Sequence, residues 1–330
     1  DQGVRGVTSN PTIFEKAMTS GHAYDADMAR LQSQGKPASE VFETLAIDDI
    51  QRACDAFKPV YESSHGADGY VSLEVNPHLA RDTQATLRDA RRLFRAVARP
   101  NVMIKIPGTR EGLPAIEQAL ADGININVTL IFSLARYQEV LEAWLGGLER
   151  LARAGQGLAS VASVASFFVS RVDSLIDPQL EKTGATALRG KAAIANAQKA
   201  YDIFLAMKSG ARWQALAAQG AQIQRPLWAS TSTKNPAYRD VVYVEELVGA
   251  ETVNTMPLAT IDAFRDHGQP KATLPAPAGT ADGALQQLSQ AGIDMDAVTR
   301  RLEEEGLLAF EKSYDSLIGS LEQKKEALKV

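Results

Sequence analysis

The stretch Asn101-Val102-Met103-Ile104-Lys105-Ile106-Pro107 decides how this chain folds. Successive side chains of a strand point to opposite faces. Val102, Ile104 and Ile106 therefore share one face, and Met103 and Lys105 share the other. The segment at 70–75 repeats the pattern, with Val71, Leu73 and Val75 opposed to Ser72 and Glu74. So does 124–130, where Ile124, Ile126, Val128 and Leu130 oppose Asn125, Asn127 and Thr129. Each strand has one wholly apolar face and one face bearing polar groups. An open sheet covered by helices on both sides needs strands that are apolar throughout. A barrel turns one face of every strand to the helices and the other to the axis. The reading is an α/β, TIM-type (β/α)8 barrel, with axial polar groups suited to a site at the carboxyl ends of the strands.

Working outward, strand-like runs fall at 3–9, 70–75, 102–106, 124–132, 159–168, 226–230 and 252–256. Amphipathic stretches lie between most of them. Thr83, Leu87, Ala90, Leu93, Phe94 and Val97 keep helical spacing until Pro100 stops the run. Segments 133–151 and 185–207 read the same way, and repeated β-then-α argues for parallel strands. Residues 269–279 are rich in Pro, Ala and Gly and read as a linker or loop. Helices are expected at 283–291 and 295–302, then a long one to about 328. In that last helix Leu307, Phe310, Tyr314, Leu317 and Leu321 form a narrow apolar stripe, read as packing on the barrel rather than as a coiled-coil seam. The expected division is 1–268 as a catalytic barrel and 269–330 as linker and C-terminal helices.

The composition is that of a soluble globular protein. The 330 residues are 45% hydrophobic and 23% charged, and 35 Lys+Arg against 40 Asp+Glu give a net charge of −5. An acidic chain without a basic tract argues against nucleic acid. No apolar run is long enough for a membrane span. The single cysteine, Cys54, excludes an intrachain disulfide and fits a reducing, cytoplasmic compartment. His22, His65, His78 and His267 lack metal-ligand spacing. Gly184 to Lys191 has five spacer residues and Ala192 where a P-loop needs four and Ser or Thr. Neither a dinucleotide fingerprint after a strand nor a G-x-S-x-G elbow occurs.

Lys105 is the most suggestive residue, because an amine dry enough to be neutral is a nucleophile toward carbonyls. Its bland reading is an edge-strand lysine whose ammonium reaches water. Glu74, on the polar face of the preceding strand, can move protons through water or simply pair with Lys105. Asn127 and Thr129 follow on the next strand's polar face, where a plain packing layer is the alternative. Ser166, Arg171, Ser230 and Lys234 lie at or past two later strand ends. There they suit a substrate phosphate or are ordinary loop residues.

Read together, these segments resemble a known family. Gly6-Val7-Thr8-Ser9-Asn10-Pro11-Thr12-Ile13-Phe14 is similar to the N-terminal signature of transaldolases, and Asn101 to Thr109 resembles the segment bearing their Schiff-base lysine. Val71 to Val75, Asn127 to Ser133 and Ala165 to Arg171 match further family segments in order, so the resemblance runs from about residue 3 to residue 268. It is most like the longer bacterial subclass, which occurs alone or fused to a glucose-6-phosphate isomerase domain. The resemblance implies a class I aldolase-type barrel with neither metal nor organic cofactor, acting on sugar phosphates. Dihydroxyacetone would pass from sedoheptulose 7-phosphate to glyceraldehyde 3-phosphate, giving erythrose 4-phosphate and fructose 6-phosphate in the pentose phosphate pathway. By motif match Lys105 would form the imine, and Glu74 and Thr129 would hold the proton-carrying water. Asn10 and Asn127 would bind hydroxyls, and Arg171 and Ser230 the phosphate.

Two departures stand out. The family has an arginine just beyond the serine matched by Ser230, whereas this chain has Lys234 at a longer spacing, a point charge rather than a fork. The family also has a first strand, bearing an aspartate acid/base, upstream of the Thr-Ser-Asn-Pro motif, and Asp1 does not match it. The expectation is a chain lacking its first strand, with exposed strand edges, weak turnover and a tendency to aggregate. Two other functions stay open: a class I aldolase acting on fructose 6-phosphate, and a catalytically impaired sugar-phosphate binder. A homodimer or a fused isomerase domain in the full gene product also stays open.

Overall fold

The computed structural model describes residues 3–327; Asp1 and Leu328 lie outside them. The strands are β1 (Val7–Thr8), β2 (Val71–Glu74), β3 (Val102–Pro107), β4 (Ile126–Ile131), β5 (Ser163–Phe168), β6 (Arg225–Ala229) and β7 (Val253–Asn254). All seven fall inside the runs read from sequence or within one residue of them. Hydrogen-bonded neighbours follow chain order from β1 to β7 in one seven-stranded sheet. The pairs β1·β2, β2·β3, β5·β6 and β6·β7 are parallel. Parallel strands in chain order, with helices between them, are the topology of the TIM-type class.

The chain divides into two compact units. The first comprises residues 1–127, 160–162 and 306–330, and the second 128–159 and 163–305. In the first unit β1 is short and lies close against β2. A Cβ at Gly6 would come within 2.6 Å of the Tyr70 carbonyl oxygen, so only glycine permits that approach. Helix Thr83–Val97 follows β2, with Asp82 accepting from the Ala85 amide at 2.8 Å as its N-cap. It ends on Ala98 in the left-handed region, φ 50°. Leu87, Ala90, Leu93 and Val97, four of the six positions that its spacing marks, are buried, while Thr83 and Phe94 are half-buried. In the second unit Tyr137, Trp144, Phe167, Phe204 and Trp228 are fully or almost fully buried, and Trp144 meets Trp213 at 5.1 Å. Burial of such rings supplies much of a core's stabilisation.

Three expectations change. The first strand, read over 3–9, is two residues long. The segment 185–207 begins with a 3-10 turn, Thr186–Leu188, and its helix runs Ala192–Ser209. The expected break near 302 is absent: one helix runs Met295–Ala327. Gly306 inside it is buried; one glycine costs a helix about 1 kcal/mol and does not stop it. Of the two readings of residues 269–279 the loop is the one seen, with the Thr273 and Leu274 amides bonded to the Val248 carbonyl. Among the described residues no helix is long and apolar enough to cross a membrane.

Candidate active site

In the first unit β2 and β3 run side by side with Glu74 directly opposite Lys105. That register puts the two polar faces together. Lys105 Nζ donates to Glu74 Oε2 at 3.1 Å and to the Ser9 carbonyl oxygen at 3.2 Å. The two side chains are 6% and 4% exposed. The edge-strand reading of Lys105, with its amine in water, is therefore overturned. Taking both charges out of water costs more than surface pairs repay, so stability alone is a weak reason to keep the pair.

Burial pushes the Glu74 carboxyl above the ordinary range, against the pull of Lys105. Its second oxygen, Oε1, is buried without a hydrogen-bond partner. A buried polar atom left unpaired is uncommon and calls for a reason. Glu74 also lines a cavity of about 130 Å³ with Ser9, Asn10, Phe14, Arg92 and Tyr314, roomy and polar enough for more than one water molecule. Asn10, before helix Pro11–Thr19, accepts from the Ile13 amide at 2.8 Å. It is both a helix cap and part of the cavity wall. Asn127 Nδ2 donates to Ser72 Oγ at 3.0 Å, and Ser9 Oγ donates to the Ser72 carbonyl at 2.7 Å. Asn125 is a packing residue, donating to the Pro100 and Val102 carbonyls and accepting from the Ala162 amide.

The second unit holds the other candidates. Thr129 is fully buried on β4, with Oγ1 lacking a hydrogen-bond partner. Leu130 beside it has φ 58° and Ser230, just past β6, φ 55°. Such strained conformations collect at functional sites. The ends of β5 and β6 adjoin: the Ser170 amide bonds to the Ser230 carbonyl at 3.0 Å, and the two hydroxyls are 3.1 Å apart. Arg171 follows directly, its guanidinium 5.5 Å from the Phe168 ring centroid. Burial draws its pKa below the usual arginine value, with Glu305 opposing. Ser166 is buried on β5. Lys234 sits in an exposed loop, donating to Ser232 Oγ at 2.6 Å. It lines a separate cavity of about 370 Å³ with Asp173, Asp177, Tyr238 and Tyr243. There Tyr243 and Tyr238 donate to Asp173 and Asp177 at 2.7 and 2.6 Å. Burial pushes Asp173 up to about 6.

Two neighbours of the amine escape sequence reading. The Ser9 carbonyl is backbone and carries no residue signal. Phe310, whose ring lies 5.4 Å from Lys105 Nζ, is visible in sequence only as one member of an apolar stripe.

Residues 1–321 match the family described as Transaldolase/Fructose-6-phosphate aldolase. The chain is 48% identical over 332 residues to a transaldolase of Mycobacterium leprae (strain TN), covering 99% of this chain and 88% of that protein. It is 49% identical over 326 residues to a transaldolase of Parafrankia sp. (strain EAN1pec), covering 98% and 88%. Against a transaldolase of Mycobacterium tuberculosis (strain ATCC 25618 / H37Rv) the identity is 48% over 322 residues, covering 96% and 86%.

Proposed function

This chain belongs to the transaldolase/fructose-6-phosphate aldolase family, and on that premise we propose that it is a transaldolase that holds its three-carbon unit on Lys105. The donor is a ketose phosphate, sedoheptulose 7-phosphate or fructose 6-phosphate, and the acceptor an aldose phosphate such as glyceraldehyde 3-phosphate. The observation that carries the reading is the buried pair of Lys105 and Glu74, an amine and a carboxylate held 3.1 Å apart.

Imine formation needs an amine that can give up a proton and a base that can take it. Glu74 lies in hydrogen-bond reach, and burial favours its protonated form. The Lys105 nitrogen bonds to the ketose C2, and a water leaves. The resulting iminium draws the C3–C4 electron pair into an enamine while the C4 hydroxyl gives its proton to water in the site, so the bond breaks and the aldose is freed as an aldehyde. The dihydroxyacetone unit stays as an enamine until the next aldehyde bonds to it. Hydrolysis of the new imine returns the amine. The unpaired Oε1 of Glu74 and the cavity beside it suit the water that these proton transfers require. Asn10 and Asn127 fit the hydroxyls of the bound unit. In the second unit, buried Thr129 has an unpaired hydroxyl that fits a hydrogen bond to water. Arg171, with Ser166 and Ser230 near the same strand ends, fits a phosphate; Lys234 is a weaker candidate because its amine already has Ser232.

Cyanoborohydride trapping with fructose 6-phosphate tests the assignment. A three-carbon adduct should appear on the peptide containing Lys105 and vanish in Lys105→Ala, with transfer in a coupled assay falling by at least about a thousandfold. An adduct on another lysine would overturn it.

A further inference from the structure

The stripe of helix Met295–Ala327 does more than pack. Phe310 is buried, and its ring centroid stands 5.4 Å from Lys105 Nζ, inside the range of about 6 Å over which a cation is drawn to a ring face. The ammonium has three N–H groups. Among the described residues it contacts Glu74 Oε2, the Ser9 carbonyl and this ring. A ketone carbon that reaches the nitrogen on the side of any of these contacts displaces it. Parting from Glu74 or Ser9 breaks a buried hydrogen bond and strands a polar atom. Parting from Phe310 breaks none. The ring is therefore the cheapest of the three to move, and its side is the side of approach. It is not loose, however. Around it the helix is fastened to the first unit by the hydroxyls of Ser313 and Thr12, 2.9 Å apart, and by Asp315 on His78 Nε2 at 2.7 Å.

We propose that Phe310 is a specificity-determining gate on the amine, admitting ketose phosphates and turning away small unphosphorylated ketones. The inference rests on the reading above that Lys105 forms the imine. Displacing the ring costs its contact with the cation and its own burial. A donor with a phosphate has binding energy far from the carbonyl to spend on that displacement. Dihydroxyacetone has the same carbonyl and the same hydroxyls around it, but no such reserve. The gate thus selects donors by a group that never touches the amine.

The test compares trapping rates for two donors in the same preparation. With either donor the nitrogen bonds to the ketone carbon and one water leaves. Hydride from cyanoborohydride then reduces the C=N bond to a stable secondary amine on Lys105. In Phe310→Ala the rate with dihydroxyacetone should rise about tenfold or more, the scale of a lost cation–ring contact with its burial, while the rate with fructose 6-phosphate changes far less. Phe310→Leu, which preserves the apolar packing, should give a smaller rise. The ratio of the two rates is internal to each sample, so partial unfolding of a variant does not alter it. An unchanged ratio in both variants would overturn the gate. A separate arm uses formaldehyde and cyanoborohydride to methylate Lys105 without any sugar. Methylation should be slow in the unmodified protein and fast in Phe310→Ala, and equal rates would also overturn the gate. Loss of every sugar adduct on Lys105 with the methylation difference intact would sink the imine reading instead.

Discussion

Lys105 and Glu74 depend on each other unequally. Burial raises the carboxyl, and Lys105 is what opposes the rise. Removing the amine leaves a carboxylate without a cation in a site 4% exposed. A carboxyl whose folded pKa lies above its unfolded value stabilises the fold at low pH, and that stabilisation is lost as pH rises through the folded pKa. Lys105→Met should therefore lose roughly 3–5 kcal/mol at alkaline pH, and distinctly less at acidic pH, as Glu74 takes up a proton. Thermal melts of both proteins across that range check it: the gap in Tm must narrow on acidification, and a constant gap would contradict the account. The pair was legible in the sequence because both residues break an apolar alternation at matching depths on consecutive strands. What surrounds it was not. Ser9 contributes a backbone carbonyl, which every residue has, and the tyrosine-bonded Asp173 and Asp177 lie on a helix whose spacing marks no site.

At the scale of elements, alternation and punctuation carried most of the information. Pro100 and the spacing of Leu87, Leu93 and Val97 define helix Thr83–Val97 within a residue. Its end also shows what spacing does not reveal. Ala98 stands at φ 50°, a conformation that costs an L-residue about 1–2 kcal/mol and glycine almost nothing. Ala98→Gly should stabilise the protein by about 0.5–1 kcal/mol, after the entropy of a freer unfolded chain is subtracted. Urea unfolding reads this as a higher midpoint at unchanged slope. A lower midpoint would mean that the alanine methyl matters elsewhere. The expected pair of C-terminal helices is one, Met295–Ala327. Burial of Leu302, Leu307 and Phe310 on either side of Gly306 outweighs its propensity.

Across the whole molecule, the one cysteine reports on the first unit. Cys54 is fully buried in helix Ala38–Ser63, and burial pushes its thiol up to about 12. It should resist thiol reagents in the folded protein and react only as the first unit opens. Labelling with a mass-tag reagent over a urea series should then follow unfolding, whereas fast labelling without denaturant would refute it. The same unit is discontinuous in sequence: residues 306–330 belong with 1–127. During synthesis, at about 5–20 residues per second, residues up to 127 leave the ribosome roughly ten seconds or more before the helix that covers their amine. Until the residues from 306 onward are made, that nascent segment must be kept from misassociation by chaperones or by its own residual order, and a ribosome stalled before residue 306 would release a product whose lysine lacks its covering helix.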